Sequence, residues 1–251
     1  KNLNNKRNIF VREGEVMTEE CKFITDFLNC EYEVFENEKS DERLINTFNE
    51  WSSQGEKEGF YPVLIIPSDI LAEALELSLE DEEIENTREG IKEFREKIIK
   101  EAESINVKEF LEERFSEYSE MHEDMDIAGE FLETEPYHGF YSHMDNAAPC
   151  KEILMVKIPV KNPWEIAAWI PMGGFNDCPL PAEQTAVFRY WFEKYGAVPA
   201  VVTYDIWEMR VENPPKTDEE SENLAKEQFA FCYDIVMQAS KGWDRIRALA
   251  S

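Results

Sequence analysis

The chain has 251 residues, of which 43% are hydrophobic and 12% aromatic, so it holds enough apolar side chains for a folded core, and disorder along its whole length is excluded. Its 54 acidic and 26 basic residues give a formal charge of −28. This charge disfavours direct binding to nucleic acid, whose phosphate backbone is also negative, and favours basic partners, although it also simply keeps a protein in solution.

The cysteine pattern and the hydropathy bear on location. Five cysteines occur, an odd number without a C-x-x-C pair, which disfavours both a disulfide framework and a structural zinc site. The first residues, KNLNNKRNIFVREGEV, have no apolar run of signal-peptide length, and no window of the sequence approaches a membrane span. We therefore expect a cytosolic protein with reduced thiols and no membrane contact.

The first part of the chain alternates helical and strand patterns. Apolar spacing predicts these elements in order: a helix over 17–29, a strand over 30–36, a helix capped by Ser40 or Asp41, a buried strand over 60–66, and a helix from Ser68 through Leu79. The order strand, helix, strand predicts that the two strands pair in parallel through a right-handed crossover.

The stretch 73–135 differs in composition, with 23 acidic and 7 basic residues. Within it, isoleucines recur every seven residues with one phenylalanine among them, forming a narrow apolar seam: Ile84, Ile91, Phe94, Ile98 and Ile105. Two interpretations stay open. The seam belongs to a helical arm that lies across the domain, or it belongs to a helix that binds a partner or dimerises.

The remainder predicts a loop-rich connection followed by a second α/β unit. We expect a hairpin of strands 153–160 and 164–170, a helix from Pro181 to Gly196, strands within 197–211, and a last helix that begins with a Thr217–Glu220 capping box and continues through Cys232 to Ala239. The predicted fold is α/β, a mixed β-sheet flanked by helices with an acidic helical insertion in the N-terminal half. The predicted divisions are 1–123, 124–152 and 153–251.

The last hundred residues also carry a distinctive combination of motifs. It comprises Trp164-Glu165, Gly173-Gly174-Phe175-Asn176-Asp177-Cys178-Pro179, Trp191, Tyr195-Gly196-Ala197, Asp205, Glu208, Pro214-Pro215, Leu224-Ala225, Glu227-Gln228, Phe231-Cys232, Asp234 and Gln238. This combination resembles a bacterial family catalogued as domain of unknown function 4253, with Phe175 and Asp177 where the family more often has Trp and Glu. The resemblance implies a bacterial protein and supplies no reaction or ligand.

The loop from Gly173 to Pro179 is the candidate functional site, because it combines glycines, an amide, a carboxylate and a thiol immediately before a helix. The candidate binding residues are Trp164, Trp169, Gly173, Gly174, Asn176, Asp177, Asp205 and Trp207. Strand alternation puts Asp205 and Trp207 on one face and Glu208 on the other, so these side chains cannot all converge. The alternative interpretation is architectural: Asn176 and Asp177 hold a turn that Gly173 and Gly174 permit.

Candidate chemistry at this loop centres on Cys178 and Asp177. A helix start lowers a thiol pKa, whereas the neighbouring carboxylate raises it, and no motif pairs the thiol with a base. The alternative is a small residue that packs under the loop. His138 and His143, with His122 upstream, match no metalloenzyme spacing, and glycine-rich phosphate motifs are absent, so we expect neither a metal nor another cofactor.

Taken together, the sequence favours a cytosolic protein-binding module. Neutralisation of a basic partner, in the manner of a bacterial immunity protein, is one form that such binding takes. The alternative is a hydrolase or transferase with its site at the Gly173 to Pro179 loop. A closed pocket at that loop would favour the enzyme, and an acidic face with exposed apolar residues would favour the binder.

Overall fold

The structure, a computed structural model, describes residues 17–121, 138–145, 148–173 and 177–237. In chain order the elements are α1 (Glu19–Leu28), β1 (Glu31–Glu36), α2 (Asp41–Glu58), β2 (Tyr61–Ile65), α3 (Asp69–Glu80), α4 (Arg88–Ala102), α5 (Val107–Met121), β3 (Met144–Asp145), β4 (Ala148–Pro149), β5 (Glu152–Ile158), a 3₁₀ helix (Pro163–Glu165), α6 (Ile166–Trp169), α7 (Pro181–Tyr195), β6 (Val198–Val202), β7 (Trp207–Arg210), α8 (Asp218–Phe231) and α9 (Asp234–Met237).

Five strands form one mixed sheet in the order β1-β5-β2-β6-β7. Strand β5 is antiparallel to both β1 and β2, β2 is parallel to β6, and β7 is antiparallel to β6. The predicted α/β fold with a mixed sheet and flanking helices is therefore confirmed. The predicted direct pairing of β1 with β2 is wrong. The two strands run in the same direction, but β5 lies between them because its apolar residues continue on both faces.

The residues of β5 alternate between two cores. Leu154, Val156 and Ile158 face a cluster that includes the buried sides of α1, α3, α4 and α6. Ile153 and Met155 face the opposite cluster, which contains the buried side of α2. The sheet is thus a central layer between helices, and a third cluster joins α5, α7 and α8 beside it.

Side-chain caps fix the beginnings of the helices where the sequence predicts them. Ser40 accepts a hydrogen bond from the backbone N–H of Glu42 at the start of α2, and Ser68 accepts one from Leu71 at the start of α3. Thr217 caps α8 in the same way. The Glu220 carboxylate accepts a hydrogen bond from the backbone N–H of Lys216. It therefore does not complete the predicted capping box.

Two C-terminal predictions are wrong. The stretch predicted as the second strand of a hairpin forms the 3₁₀ helix and α6, since Pro163 suits a helix start and the run after Glu165 is apolar on every side. The last predicted helix ends at Phe231, because Cys232 adopts an extended backbone with φ −148° and ψ 91°. Cys232 is exposed rather than part of a buried face, and Ala239 lies outside the described residues.

The isoleucine seam is part of the core. Ile91, Phe94 and Ile98 are buried on α4, which lies against α6 and α7, while Ile84 precedes this helix and Ile105 follows it. This arrangement agrees with the arm interpretation. The buried face of α4 is occupied within the chain and is not available to a partner.

Strands from the N-terminal part and from the C-terminal unit share the sheet, because β5 hydrogen-bonds to both β1 and β2. The divisions 1–123, 124–152 and 153–251 stay a prediction. Among the described residues, no helix combines the length and the apolar character that crossing a membrane requires.

Candidate functional site

The loop between α6 and α7 is held by Gln184, in the first turn of α7. The Gln184 amide nitrogen donates to the carbonyl oxygens of Met172 at 2.9 Å and Pro179 at 2.8 Å. Its amide oxygen accepts a hydrogen bond from the Trp207 indole N–H at 2.9 Å. Because Gln184 is only 1% exposed, it joins the two ends of the loop to β7 inside the protein.

Gly173 and Cys178 lie against each other within this loop. Gly173 has φ +103°, and a Cβ at this position would lie 2.5 Å from the Cys178 sulfur, so the close approach requires glycine. The Gln184 amide nitrogen lies 3.7 Å from the same sulfur. An amide does not accept the thiol proton, so this contact does not activate Cys178 as a nucleophile. Gly174 and Asn176 lie outside the described residues.

Asp177 is exposed, and its backbone carbonyl is hydrogen-bonded to a side chain of α5. The Arg114 guanidinium donates to the Asp177 carbonyl oxygen at 2.5 Å and to the Ala230 carbonyl oxygen at 2.8 Å. The same guanidinium lies over the Tyr118 ring, 5.1 Å from its centroid. Burial raises the pKa of the Tyr118 hydroxyl to about 12. Arg114 thus connects the candidate loop to the end of α8.

The three candidate tryptophans each have neighbours within the protein. Trp164 is buried with the Arg189 guanidinium 5.5 Å from its ring centroid. The Arg95 guanidinium lies over the Trp169 ring, 3.8 Å from its centroid. Trp207 meets Phe188 edge to face at 5.3 Å in addition to its bond to Gln184. These contacts account for the three rings by packing and cation–π attraction.

Arg95 is a half-buried cation that the sequence reasoning missed. Its guanidinium donates to the Phe27 carbonyl oxygen at 3.2 Å, and its Nε is buried without a hydrogen-bond partner. Burial lowers the pKa of the Arg95 guanidinium to about 10, which leaves it charged at neutral pH.

The carboxylates of Asp205 and Glu208 accept hydrogen bonds from different segments. Asp205 is exposed and accepts a hydrogen bond from the Thr203 hydroxyl at 2.9 Å, in the turn between β6 and β7. Glu208 accepts backbone N–H bonds from Tyr141 at 3.1 Å and Ser142 at 2.6 Å. Trp207, next to Glu208, instead bonds Gln184, so the two neighbouring side chains of β7 engage different parts of the protein.

Several exposed apolar side chains belong to segments that follow the parallel strands β2 and β6 or that bond to the neighbouring strand β7. The Ile66 N–H donates to the Val202 carbonyl oxygen at 2.9 Å, so these two strands stay paired to their ends. Helix α3 follows β2, the β6–β7 turn follows β6, and residues 141–142 are bonded to Glu208. We name the exposed set Ile70, Tyr141, Tyr204 and Ile206 the sheet-end surface.

Carboxylates accompany the sheet-end surface. Asp69, Asp145 and Asp205 are exposed on the same three segments. The pKa of the Tyr204 hydroxyl is raised, chiefly by the charge of Asp205, with burial and Asp145 adding to the effect. The influence of Asp145 on Tyr204 indicates that the segment 138–145 lies beside the β6–β7 turn.

The two described histidines differ in their exposure to solvent. His138 is exposed, whereas His143 is buried with its Nδ1 2.5 Å from the Phe140 carbonyl oxygen. Within the described part of the chain, no group of three or more His, Cys, Asp or Glu side chains has a geometry that could hold a metal ion. His122 lies outside that part.

Sequence reasoning missed Gln184, Arg95 and Arg114, although each leaves a detectable signal. Each is a polar residue three or four positions from buried apolar residues on the same helix, as Gln184 is from Val187 and Phe188. A polar side chain on an apolar helical face must find a hydrogen-bond partner or lose stability. That rule marks such a residue, but the sequence does not name its partner.

Comparison with known proteins adds a family and no activity. Residues 154–251 match the family model described as Domain of unknown function (DUF4253). The match begins inside β5 and covers every described element after it, so it includes Gln184 and the candidate loop. No curated protein and no solved structure matched the chain.

Proposed function

We propose that this chain, whose C-terminal part is a DUF4253 domain of unknown function, is a protein-binding module for a basic partner. The observation that carries the proposal is the sheet-end surface, a set of four exposed large apolar side chains on three segments that also carry three exposed carboxylates. Exposed apolar groups rimmed by polar residues are typical of protein interaction sites.

The composition of this surface suits protein recognition. Its side chains are 38% to 62% exposed, and two of the four are tyrosines, which contribute strongly to binding energy at protein interfaces. The surface also lies at the carboxyl ends of parallel strands, where open α/β sheets place their ligands. The apolar residues would supply affinity, and the carboxylates would select the partner.

Charge sets the class of partner. A formal charge of −28 attracts basic proteins and accelerates their encounter at low salt, while it repels acidic ones. Neutralisation of a basic protein, in the manner of a bacterial immunity protein, is the form of this function that we favour. A cytosolic location belongs to the proposal, and its support is that none of the five cysteines, all of which lie in the described part of the chain, forms a disulfide bond.

The proposal is tested by affinity capture from a lysate of the source organism at about 50 mM and about 500 mM salt, since screening weakens contacts between exposed charges. We expect a basic protein at low salt and its loss at high salt. The double variant Tyr204→Ser/Ile206→Ser should lose this partner. The matched control Leu180→Ser/Met121→Ser removes two exposed apolar residues elsewhere and should retain it. Equal capture by both variants would overturn the proposal.

The alternative, a hydrolase or transferase, is favoured by one observation. Gln184 bonds the carbonyl oxygens of Met172 and Pro179, and Arg114 bonds that of Asp177, so the described ends of the loop beside Cys178 are held in place, as a catalytic loop requires. Under this alternative, Cys178→Ala and Asp177→Asn would abolish a turnover and leave the fold intact. Capture of the basic partner by both variants at the level of the unmodified protein would support the binding module instead.

A further inference from the structure

We infer that the basic partner contacts α3 through an amphipathic helix that lies along the outer face of α3. The inference rests on the proposed function and adds the structural class of the contacting element. We define the outer face of α3 by its exposed residues, namely Asp69, Ile70, Glu73, Glu76, Leu77 and Glu80.

The two sides of α3 differ sharply. Leu71, Leu75 and Leu79 are buried in the core against α1 and the sheet. On the opposite side, Ile70 is 45% and Leu77 is 46% exposed. Because these two residues are seven positions apart, they lie on one side of the helix, two turns or about 11 Å from each other.

The carboxylates of the outer face are not neutralised by the described part of the chain. Helix α3 has no Lys or Arg, and no basic side chain among the described residues lies within 4.0 Å of Glu73, Glu76 or Glu80. The neighbouring helix α4 differs, since Lys92 and Lys97 pair there with nearby glutamates. The outer face of α3 therefore presents negative charge that a basic partner would neutralise.

The spacing of the outer face identifies a helix as its occupant. Helices that pair side by side use apolar residues at alternating intervals of three and four along one face, and Ile70 and Leu77 occupy two equivalent positions of such a pattern, flanked by charged residues. A partner helix would place apolar side chains against Ile70 and Leu77 and its Lys or Arg side chains against Glu73 and Glu80. A second copy of this chain is disfavoured, because two α3 helices would bring like charges together.

Two peptides of about 20 residues test the inference with the full chain. One contains Leu at the a and d positions and Lys elsewhere over about three heptads, and its isomer has the same composition with Leu spread around the helix. We expect the amphipathic peptide to bind at least about tenfold more tightly, as measured by calorimetry, and to gain helical circular dichroism. Leu77→Ser should weaken that binding by about tenfold, and Met121→Ser, a matched change at another exposed position, should leave it unaltered.

Equal binding of the two peptides, or an unchanged affinity in Leu77→Ser, would overturn the inference. A concentration-dependent dimer that Leu77→Ser abolishes would also overturn it, because a second copy would then occupy the face. The proposed function fails on different results, namely the absence of a salt-sensitive basic partner or its retention by Tyr204→Ser/Ile206→Ser. A partner that is lost with that double variant but captured equally by Leu77→Ser supports the proposed function and contradicts the helical contact.

Discussion

Single polar residues on apolar helical faces decide how the candidate loop is held. Gln184 satisfies two carbonyl oxygens and one indole N–H, and Arg114 bonds two further carbonyl oxygens from separate segments. A buried polar group without a partner costs more than an average hydrogen bond contributes, so a shift of any segment that Gln184 or Arg114 bonds would lower stability. These bonds fix the described ends of the loop, whatever its function.

Replacement of Gln184 by Leu keeps the volume and removes all three bonds. We expect the free energy of unfolding to fall by about 3 kcal/mol or more, because three buried polar groups lose their partner. Urea denaturation followed by circular dichroism measures the change. Gln54→Leu, which alters a half-buried glutamine on α2, should cost less than about 1 kcal/mol. Equal losses in the two variants would contradict the role assigned to Gln184.

The buried thiol of Cys21 makes the free energy of unfolding depend on pH. The thiol is fully buried in α1, and burial, with the charges of Glu152 and Glu20, raises its pKa from 9.0 to about 12. Between these two values the unfolded chain releases a proton that the folded chain retains. The stability from this group is therefore complete below pH 9 and declines as the pH rises toward 12, by up to about 1.4 kcal/mol per pH unit.

The Cys21→Ala variant should show a shallower decline in unfolding free energy above pH 9 than the unmodified protein. Ile24→Val, a cavity-forming change at a buried position of the same helix, is the control. It should lower stability and leave the slope against pH unaltered, because it removes no titrating group. Identical slopes for all three proteins would show that Cys21 does not titrate in this manner.

At the scale of elements, local patterns predict an element well where one side is apolar and a cap is present. Helices α2 and α3 have both signals, and each begins directly after the serine that the sequence marks. The stretch 164–170 has neither signal. Apart from Glu165 it is apolar on every side, and a short run of this kind does not distinguish a strand from a buried helix.

The candidate site was less predictable than the fold for a physical reason. The sequence identifies the loop, but the residues that hold it come from distant positions, since Trp207 is 23 and Arg114 is 63 residues from its bonding partner. Such contacts depend on the packing of α5, α7 and β7 and have no local pattern. Tertiary contacts of this kind can be stated only after the fold is known.

The seam on α4 allows a test of burial at the element scale. Ile98→Ala should lower the free energy of unfolding by about 2 to 4 kcal/mol, because Ile98 is 3% exposed and its removal leaves a cavity. Leu77→Ala on the outer face of α3 should change it by no more than about 0.5 kcal/mol. A small effect of Ile98→Ala, together with a shift from dimer to monomer in sedimentation, would restore the interpretation of α4 as a dimerising helix.

At the scale of the whole molecule, one sheet unites residues that are far apart in the chain. Strand β5 lies between β1 and β2, and its residues are buried on both faces by helices of the N-terminal part. The Glu152 carboxylate at its start also accepts hydrogen bonds from the backbone N–H and hydroxyl of Thr18, 134 residues away. The match to the DUF4253 family begins inside this strand, at residue 154.

The connectivity of the sheet predicts how fragments behave. Residues 153–251 expressed alone would lack β1 and β2, leaving β5 with two unpaired edges and without the helices α1 to α4 that pack on its apolar faces. Unpaired hydrophobic edges favour aggregation over folding. We therefore expect this fragment to lack near-ultraviolet circular dichroism and to unfold without cooperativity, whereas the full chain unfolds in a cooperative transition.

Co-expression of fragments 1–152 and 153–251 should recover a soluble complex, because the missing strands return and β5 regains both neighbours. As a matched control, 153–251 can be co-expressed with fragment 1–58, which ends with α2 and supplies β1 but not β2. That pair should remain insoluble. If instead 153–251 folds cooperatively without any N-terminal fragment, the C-terminal unit is an independent domain, and the pairing of β5 with β1 and β2 is not required for its stability.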